Sequence, residues 1–210
     1  MRNLLTLLIC IVCSITAHAQ NIYFNHLTPA NGLSQISVNS VFADKGGTIW
    51  MATRMGLDCY NGNSIHVYSY DANNPHSLFC NNVRQVVGDG RHTIYLSCSE
   101  GVACLDVHTR RFTTLHRSGN MSICYSDALY MSDKNIIYRT SDKGKTKKLF
   151  TRLPAHETVA TMTMDSRKRL WIGTVAGGVY LLQGGKLKHV IKDAHITTID
   201  EDSHHDIWVG

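Results

Sequence analysis

Short stretches in which apolar and polar residues alternate occur along most of the chain. Residues 36–42 and 156–164 are examples, because nearly every second residue in them is apolar or β-branched. Alternation with a period of two places one face of a β-strand against a core. Beyond the N-terminal apolar segment no stretch has helical periodicity, turn residues are frequent and there are only three prolines. The pattern predicts an all-β fold of short antiparallel strands.

One motif recurs five times along this pattern. It begins with Asp in a polar or glycine-rich turn, passes through an aromatic residue on the next strand, and reaches Thr and Gly before a third strand. The clearest copies begin at Asp44, Asp165 and Asp202, and weaker copies begin at Asp89 and Ala128. The aromatic residues of the five copies are Trp50, Tyr95, Tyr130, Trp171 and Trp208. Their steps of 45, 35, 41 and 37 residues give a period of about 40, which is typical of a propeller or a related array.

The recurring residue types have architectural explanations. Asp suits a tight reversal because its carboxylate accepts backbone N–H bonds two residues ahead. Gly suits the following turn because hairpin turns often need a positive φ. A Trp that occurs once per unit is large enough to fill the space between neighbouring sheets, with a sugar-stacking platform as the alternative. We therefore interpret twelve residues as a structural repeat: Asp44, Trp50, Thr53, Gly56, Asp89, Tyr95, Gly101, Asp165, Trp171, Thr174, Gly177 and Trp208.

Each repeat contains four short strands, which is the content of one propeller blade. We predict an incomplete β-propeller of about four and a half blades. Its blades are predicted over about residues 36–70, 81–116, 122–153 and 156–190, with a fifth that begins at 197. Half a blade would leave strand edges unpaired and apolar faces uncovered. We therefore expect this sequence to be an amino-terminal fragment of a longer protein.

The N-terminal residues have the features of a secretory signal peptide. One positive charge precedes an almost wholly apolar run over residues 4–15, and Ala17 and Ala19 are small residues at the positions that signal peptidase reads. The run is shorter than the roughly 18 to 20 residues that span a bilayer. We therefore predict a signal peptide at 1–19, cleaved between Ala19 and Gln20, and not an uncleaved anchor.

Residues 20–210 would then be the partial propeller, exported to the periplasm. The whole chain has 21 Lys and Arg against 16 Asp and Glu, a formal net charge of +5. These charges are dispersed except for the lysines between 143 and 148, which a solvated hairpin tip explains better than a nucleic-acid patch. We expect no nucleic-acid partner for this region, and membrane attachment only through a downstream segment.

The cysteines and histidines give little sign of a metal site. Five of the seven cysteines lie beyond the signal segment, at irregular spacings: Cys59, Cys80, Cys98, Cys104 and Cys124. An odd number argues against a disulfide framework, although one disulfide, with no pair assigned, is an open alternative in an oxidising compartment. No C-x-x-C pair suggests zinc, and the adjacent residues 204–206 (His-His-Asp) are interpreted as an exposed loop. No cofactor or metal is predicted.

Three segments together resemble a known family. They are the opening from Leu27 to Ser34, which contains Gly32-Leu33-Ser34, the first repeat from Val38 to Gly62, and the linker from Asn73 to Val83. In these residues the chain resembles the two-component regulator propeller proteins, and the likeness runs from about residue 22 to the end. Blade 2 departs from the pattern, with Tyr95 in place of Trp and Cys98 in place of Thr.

The resemblance implies the periplasmic sensor region of a hybrid histidine kinase. Such proteins have two stacked propellers, a small β-sandwich, one transmembrane helix, and then kinase and often receiver and DNA-binding domains. Members commonly detect oligosaccharides released from complex glycans. The resemblance therefore implies that this chain is a non-enzymatic recognition region with an oligosaccharide ligand. It also implies a homodimer through a parent protein in the inner membrane, with phosphotransfer done by parts absent from this sequence.

Two other functions are kept open. One sequence feature supports an exported glycan-active enzyme. Residues 140–146 resemble most of an Asp-box turn, with Lys147 where an aromatic residue is usual. Glycoside cleavage needs a pair of carboxylates at a set separation, which one sequence does not reveal. A plain protein-interaction or dimerisation propeller is the third reading, since propeller sites lie on loops. No catalytic or ligand-binding residue is assigned from the sequence.

Overall fold

A computed structural model describes residues 24–210. The predicted signal peptide at 1–19 and its cleavage site between Ala19 and Gln20 therefore lie outside the described residues. The described part is all-β, as predicted, with eighteen strands and two short 3-10 helices at Pro29–Asn31 and Asp142–Gly144. The strands form four four-stranded sheets and one two-stranded sheet. In this part of the chain, no helix has the length and apolar character needed to cross a membrane.

The strands follow one another in sequence order within each sheet, which we call a blade. Blade 1 contains β1 (Val38–Ala43), β2 (Ile49–Thr53), β3 (Gly56–Tyr60) and β4 (Ile65–Tyr68). Blade 2 contains β5 (Val83–Gly88), β6 (Thr93–Cys98), β7 (Gly101–Asp106) and β8 (Arg111–His116). Blade 3 contains β9 (Ile123–Tyr125), β10 (Leu129–Asp133), β11 (Ile136–Ser141) and β12 (Thr146–Arg152). Blade 4 contains β13 (Val159–Met164), β14 (Leu170–Thr174), β15 (Gly178–Gln183) and β16 (Lys186–Lys192). The two-stranded sheet contains β17 (Ile199–Glu201) and β18 (Ile207–Val209).

The blades are arranged side by side around a common axis. Strand β1 contacts β5, β5 contacts β9, β9 contacts β13, and β13 contacts β17. The first strand of each sheet is therefore the inner one, and the fourth strand forms the outer edge. This is the arrangement of a propeller, so the predicted fold class is confirmed.

Apolar clusters between successive blades hold the array together. Between blades 1 and 2 the cluster includes Trp50, Leu57, Val86 and Leu96, all buried. Equivalent clusters lie between blades 2 and 3 and between blades 3 and 4. Burying such side chains stabilises a fold by roughly 1.5–3 kcal/mol each. The alternating apolar positions of the sequence therefore face the neighbouring blade, which explains why the repeat has to recur.

Candidate functional site

The Asp of the repeat closes the turn between the first two strands of a blade. Asp44 Oδ1 accepts hydrogen bonds from the backbone N–H groups of Gly46 at 2.9 Å and Thr48 at 3.0 Å. Its other oxygen, Oδ2, accepts a bond from Trp50 Nε1 at 3.1 Å. One carboxylate therefore fixes both the turn and the aromatic side chain six residues later.

The same Asp–Trp link recurs in two further copies. Trp171 Nε1 donates to Asp165 Oδ2 at 2.9 Å, and Trp208 Nε1 donates to Asp202 Oδ2 at 2.8 Å. Sequence reasoning gave Asp a role in the turn and Trp a role in packing, and it missed the bond between them. The signal that could have revealed it is the constant spacing of six residues.

Blade 2 lacks this link. Asp89 Oδ1 accepts bonds from the N–H groups of Arg91, His92 and Thr93 at 2.8, 2.8 and 3.0 Å. Tyr95 has no ring N–H to donate and stacks on Tyr125, with ring centroids 5.5 Å apart. The turn is thus retained, while the aromatic side chain makes no hydrogen bond to the Asp of the turn.

These hydrogen bonds favour the ionised form of Asp165 and Asp202. Partial burial raises the pKa of Asp165, but the bonds donated by Trp171 and Arg169 outweigh burial and hold that pKa below its usual value. The bond from Trp208 is the main cause of the lowered pKa of Asp202. Charge-assisted hydrogen bonds of this kind are stronger than neutral ones. The ionised Asp is therefore part of the scaffold.

The Thr and Gly of the repeat shape the turn between the second and third strands. Thr53 Oγ1 donates to the carbonyl oxygen of Gly56 at 3.0 Å and accepts the N–H of Met55 at 3.0 Å. Gly56 has a φ of +139°, and a Cβ there would collide with the carbonyl oxygen of Tyr68. Gly101 occupies the same position in blade 2 and would collide with the carbonyl oxygen of His116.

In blade 4 the position equivalent to Gly56 is Gly178, and the choice of Gly177 as the repeat glycine needs correction. Thr174 Oγ1 donates to the carbonyl oxygen of Gly178 at 3.2 Å, while the N–H of Gly177 donates to Thr174 Oγ1 at 3.0 Å. The turn is one residue longer than in blade 1, which shifts the glycine. Gly177 has another role, because a Cβ there would collide with the buried carboxylate of Glu157.

The repeat aromatics follow the packing of the blades. Trp50 and Tyr95 are buried between blades 1 and 2 and between blades 2 and 3, respectively. Trp171 is half-buried against the cluster beside β17, whereas Trp208 is 66% exposed. The structure therefore places the repeat residues at turns and blade surfaces and does not gather them into one site.

The Gly32-Leu33-Ser34 opening also serves the scaffold. The backbone N–H and the hydroxyl of Ser34 both donate to Asp58 Oδ2 at 2.9 Å, and Ser34 Oγ lies 2.8 Å from Thr53 Oγ1. Asp58 is fully buried, as is most of Leu33. The opening therefore docks the N-terminal segment against blade 1 on the side away from blade 2.

The histidines near the end of the chain take part in exposed contacts. His205 Nδ1 lies 3.2 Å from Glu201 Oε1 and 3.1 Å from Ser166 Oγ, and His204 is exposed. Over residues 24–210 no group of three or more His, Cys, Asp or Glu side chains is arranged to hold a metal ion. The segment joins the turn of blade 4 to the next sheet.

A polar cavity opens where the inner strands begin, and we call it the funnel. Its volume is about 610 Å³, which is within the range of sites for small ligands. It is lined by residues of β1, β5 and β13, of the segments before β9, β13 and β17, and of the turn after β14: Asn39, Ser40, Arg84, Gln85, Asn120, Met121, Thr158, Val159, Ala160, Thr161, Val175, Thr197 and Thr198. Arg84 is the charged side chain in this lining.

Hydrogen bonds between blades hold one half of the funnel wall. Arg84 Nη1 donates to Asn120 Oδ1 at 2.5 Å, and Gln85 Oε1 accepts the N–H of Ile123 at 3.0 Å. Asn39 Nδ2 donates to the carbonyl oxygen of Val83 at 2.7 Å. These hydrogen bonds orient the amide and guanidinium groups of the wall relative to one another.

The opposite half of the wall offers hydroxyl groups. Thr158, Thr197 and Thr198 are exposed, and they stand beside the exposed side chain of Val175. Each hydroxyl can donate one hydrogen bond and accept two. The funnel therefore combines preset amide and guanidinium groups with adaptable hydroxyls around a small apolar surface. None of these residues was selected from the sequence.

Together, the fold and the funnel define a propeller with a polar cavity where its inner strands begin. No protein-family model matches the chain. Histidine kinase P4 of Formosa agariphila is 40% identical over 62 residues, which is 30% of this chain and 4% of that protein. The chain thus spans a very small part of this relative.

Solved structures of extracellular domains of hybrid two-component systems share the fold. The extracellular domain of the putative hybrid two-component system BT4673 from B. thetaiotaomicron matches with a TM-score of 0.68 at 19% identity, over 82% of this chain and 26% of that one. The corresponding domain of BT3049 matches with a TM-score of 0.57 at 19% identity, over 93% of this chain and 33% of that one. Virginiamycin B lyase from Staphylococcus aureus matches with a TM-score of 0.67 at 12% identity, over 82% and 62%.

These comparisons agree with the resemblance to two-component regulator propeller proteins that the sequence shows. Structures similar to this chain include extracellular domains of hybrid two-component systems, and a histidine kinase matches weakly over a short segment. At these identities the solved structures show the fold alone, and a lyase shares it as well. Because proteins with one fold can have different functions, the function of this chain depends on the residues of the funnel.

Proposed function

We propose that this chain is the recognition propeller of an extracytoplasmic sensor in a two-component signalling protein, and that it binds a glycan-derived oligosaccharide in the funnel. The observation that carries the proposal is the funnel wall, in which amide, guanidinium and hydroxyl groups surround a cavity of about 610 Å³. Sugars present many hydroxyls that both donate and accept hydrogen bonds, and these side chains complement both roles.

The single positive charge of the wall favours neutral or anionic ligands over cationic ones. Arg84 lines the cavity, and its guanidinium has N–H groups beyond the one that donates to Asn120. The other lining residues are uncharged. A neutral sugar, or one that carries a single carboxylate or sulfate near Arg84, suits this wall, whereas a cationic ligand would meet uncompensated repulsion.

The similarity to extracellular domains of hybrid two-component systems supports the sensor part of the proposal. Because the chain spans 26% and 33% of those domains, the properties of the parent protein belong to the proposal as well. They are export by the signal peptide at 1–19, a periplasmic location, an inner-membrane anchor, homodimerisation and a downstream histidine kinase.

Titration calorimetry of the complete ectodomain against a panel of oligosaccharides tests this function. We expect saturable heat with at least one glycan family and no change in the glycan after incubation. Turnover of the glycan would instead establish the exported enzyme. A folded ectodomain that gives no heat across the panel would favour a protein-interaction or dimerisation propeller and would overturn the proposal.

A further inference from the structure

We propose that Cys80 and Cys98 form a disulfide bond that ties the linker between blades 1 and 2 to the second strand of blade 2. Blade 2 departs from the repeat at Cys98. Cys98 occupies the position where blades 1 and 4 have Thr53 and Thr174, whose hydroxyls bridge the following turn. A thiol forms only weak hydrogen bonds, so Cys98 is a poor substitute in that role.

The fold brings the two cysteines into one cluster, where both are free thiols in this structure. Both belong to the apolar cluster between blades 1 and 2, with Cys98 fully buried and Cys80 nearly so. Cys80 Sγ lies 3.2 Å from the hydroxyl of Ser99, the residue next to Cys98. The N–H of Ser99 donates to the carbonyl oxygen of Asn82 at 3.0 Å. A backbone hydrogen bond therefore connects the segment that follows Cys80 to the residue that follows Cys98.

The electrostatic environment of Cys98 is consistent with this proximity. Burial raises the pKa of its thiol, and the thiol of Cys80 raises that pKa further as the next contribution. The other cysteines are less well placed. Cys104 and Cys124 belong to the clusters on the far sides of blades 2 and 3. Cys59 is a half-buried neighbour of the shared cluster and is the competitor that a test has to exclude.

The bond forms by exchange with an external disulfide, such as oxidised glutathione or a dithiol–disulfide oxidoreductase. One cysteine, as its thiolate, attacks the external disulfide and releases one thiol, and the second thiolate then displaces the other thiol. The two cysteines lose two protons and two electrons, and the external disulfide gains them. Because burial disfavours the thiolate that reacts, oxidation should accompany folding and be slow in the folded protein.

The disulfide rests on the proposed function only in that export would place the chain in an oxidising compartment. Refolding in vitro tests the disulfide independently of that function. The unfolded chain is refolded in oxidised and reduced glutathione, alkylated with iodoacetamide and digested without reduction. Trypsin, chymotrypsin and a glutamate-specific protease are combined, because cleavage after Tyr68 separates Cys59 from Cys80 and cleavage after Glu100 separates Cys98 from Cys104. We expect mass spectrometry to find Cys80 linked to Cys98, with Cys59, Cys104 and Cys124 alkylated.

Two variants complete the test. Cys98→Thr restores the residue of the other blades and should abolish the link, whereas Cys59→Ser should leave it intact. Reduction should lower the Tm of the oxidised wild type by on the order of 5–10 °C and should not change the Tm of Cys98→Thr. Alkylation of all five cysteines in correctly refolded wild type, or a link between Cys80 and Cys59, would overturn the proposal even if a variant failed to fold.

Discussion

Asp165 and Trp171 are joined by a hydrogen bond from the indole Nε1 to the carboxylate Oδ2 at 2.9 Å. The carboxylate is buried and also accepts the backbone N–H of Arg169 at 2.8 Å. The residue that closes the turn is therefore the residue that orients the aromatic side chain toward the next sheet. The Asp and the Trp of the repeat form one unit.

A double-mutant cycle tests this unit. Trp171→Phe removes the donor but keeps an aromatic ring, and Asp165→Asn removes the charge of the acceptor. Hydrogen bonds to charged groups contribute about 1.5–3 kcal/mol, so urea unfolding should give a coupling energy of at least about 1 kcal/mol. The matched cycle of Asp89→Asn with Tyr95→Phe, where the link is missing, should give a coupling near zero. Equal coupling in both cycles would contradict the assignment.

The repeat glycines should tolerate no side chain. Gly101 has a φ of +147°, and a Cβ there meets the carbonyl oxygen of His116, whereas Gly62 has a φ of +91° and open space around it. Gly101→Ala therefore combines backbone strain with a collision, and Gly62→Ala suffers strain alone. We expect Gly101→Ala to lose more than about 2 kcal/mol of unfolding free energy and Gly62→Ala about 1 kcal/mol. Similar losses in chemical denaturation would refute the steric explanation.

The opening segment should contribute to the stability of blade 1. Ser34→Ala removes the hydroxyl that donates to Asp58 Oδ2, and the other oxygen of this buried carboxylate has no partner among the described residues. The loss of this hydrogen bond from a buried side chain should cost about 1–3 kcal/mol in unfolding free energy. Ser37→Ala, at an exposed position of the same segment, should change it by less than about 0.5 kcal/mol. An unchanged unfolding free energy for Ser34→Ala would show that the opening segment is not docked against blade 1 as described.

Acid should destabilise the fold through its hydrogen-bonded aspartates. The backbone N–H of Thr109 and the ammonium group of Lys143 lower the pKa of Asp106 from 3.8 to about 2. Since the folded pKa lies below the unfolded one, this contribution is present above about pH 4. It is lost as the pH falls toward 2. Urea midpoints should therefore converge for wild type and Asp106→Asn between pH 4 and pH 2. A constant difference down to pH 2 would contradict the shift.

The architecture was predictable because it depends on local patterns. Alternation gave the strands, and the recurrence of Asp, Trp and Gly gave the propeller, since each blade repeats the same turns. The choice between Gly177 and Gly178 was not predictable, because two adjacent glycines fit the motif and only the longer turn after Thr174 distinguishes them. The constant spacing of six residues between Asp and Trp indicates that the two are related. The hydrogen bond itself could not be predicted, because the spacing does not give the direction of the side chains.

The funnel could not be predicted for a different reason. Its wall takes two or more residues from each sheet, and those that start the set, such as Asn39, Arg84, Asn120 and Thr158, are about 40 residues apart along the chain. These residues are not part of the repeat, and no short motif connects them. Only the closing of the inner strands around an axis brings them to one cavity. The sequence therefore predicted a scaffold and left its site unassigned.

Ligand binding to the funnel is the central claim, and Arg84 is its most direct probe. With the oligosaccharide identified by calorimetry on the complete ectodomain, Arg84→Ala should weaken binding at least about tenfold, because it removes a charged hydrogen-bond donor worth about 1.5–3 kcal/mol. Arg91→Ala, in the exposed turn at the other end of β5, should leave the Kd unchanged. An unchanged Kd for a folded Arg84→Ala ectodomain, or an equal loss in both variants, would contradict the funnel as the binding site.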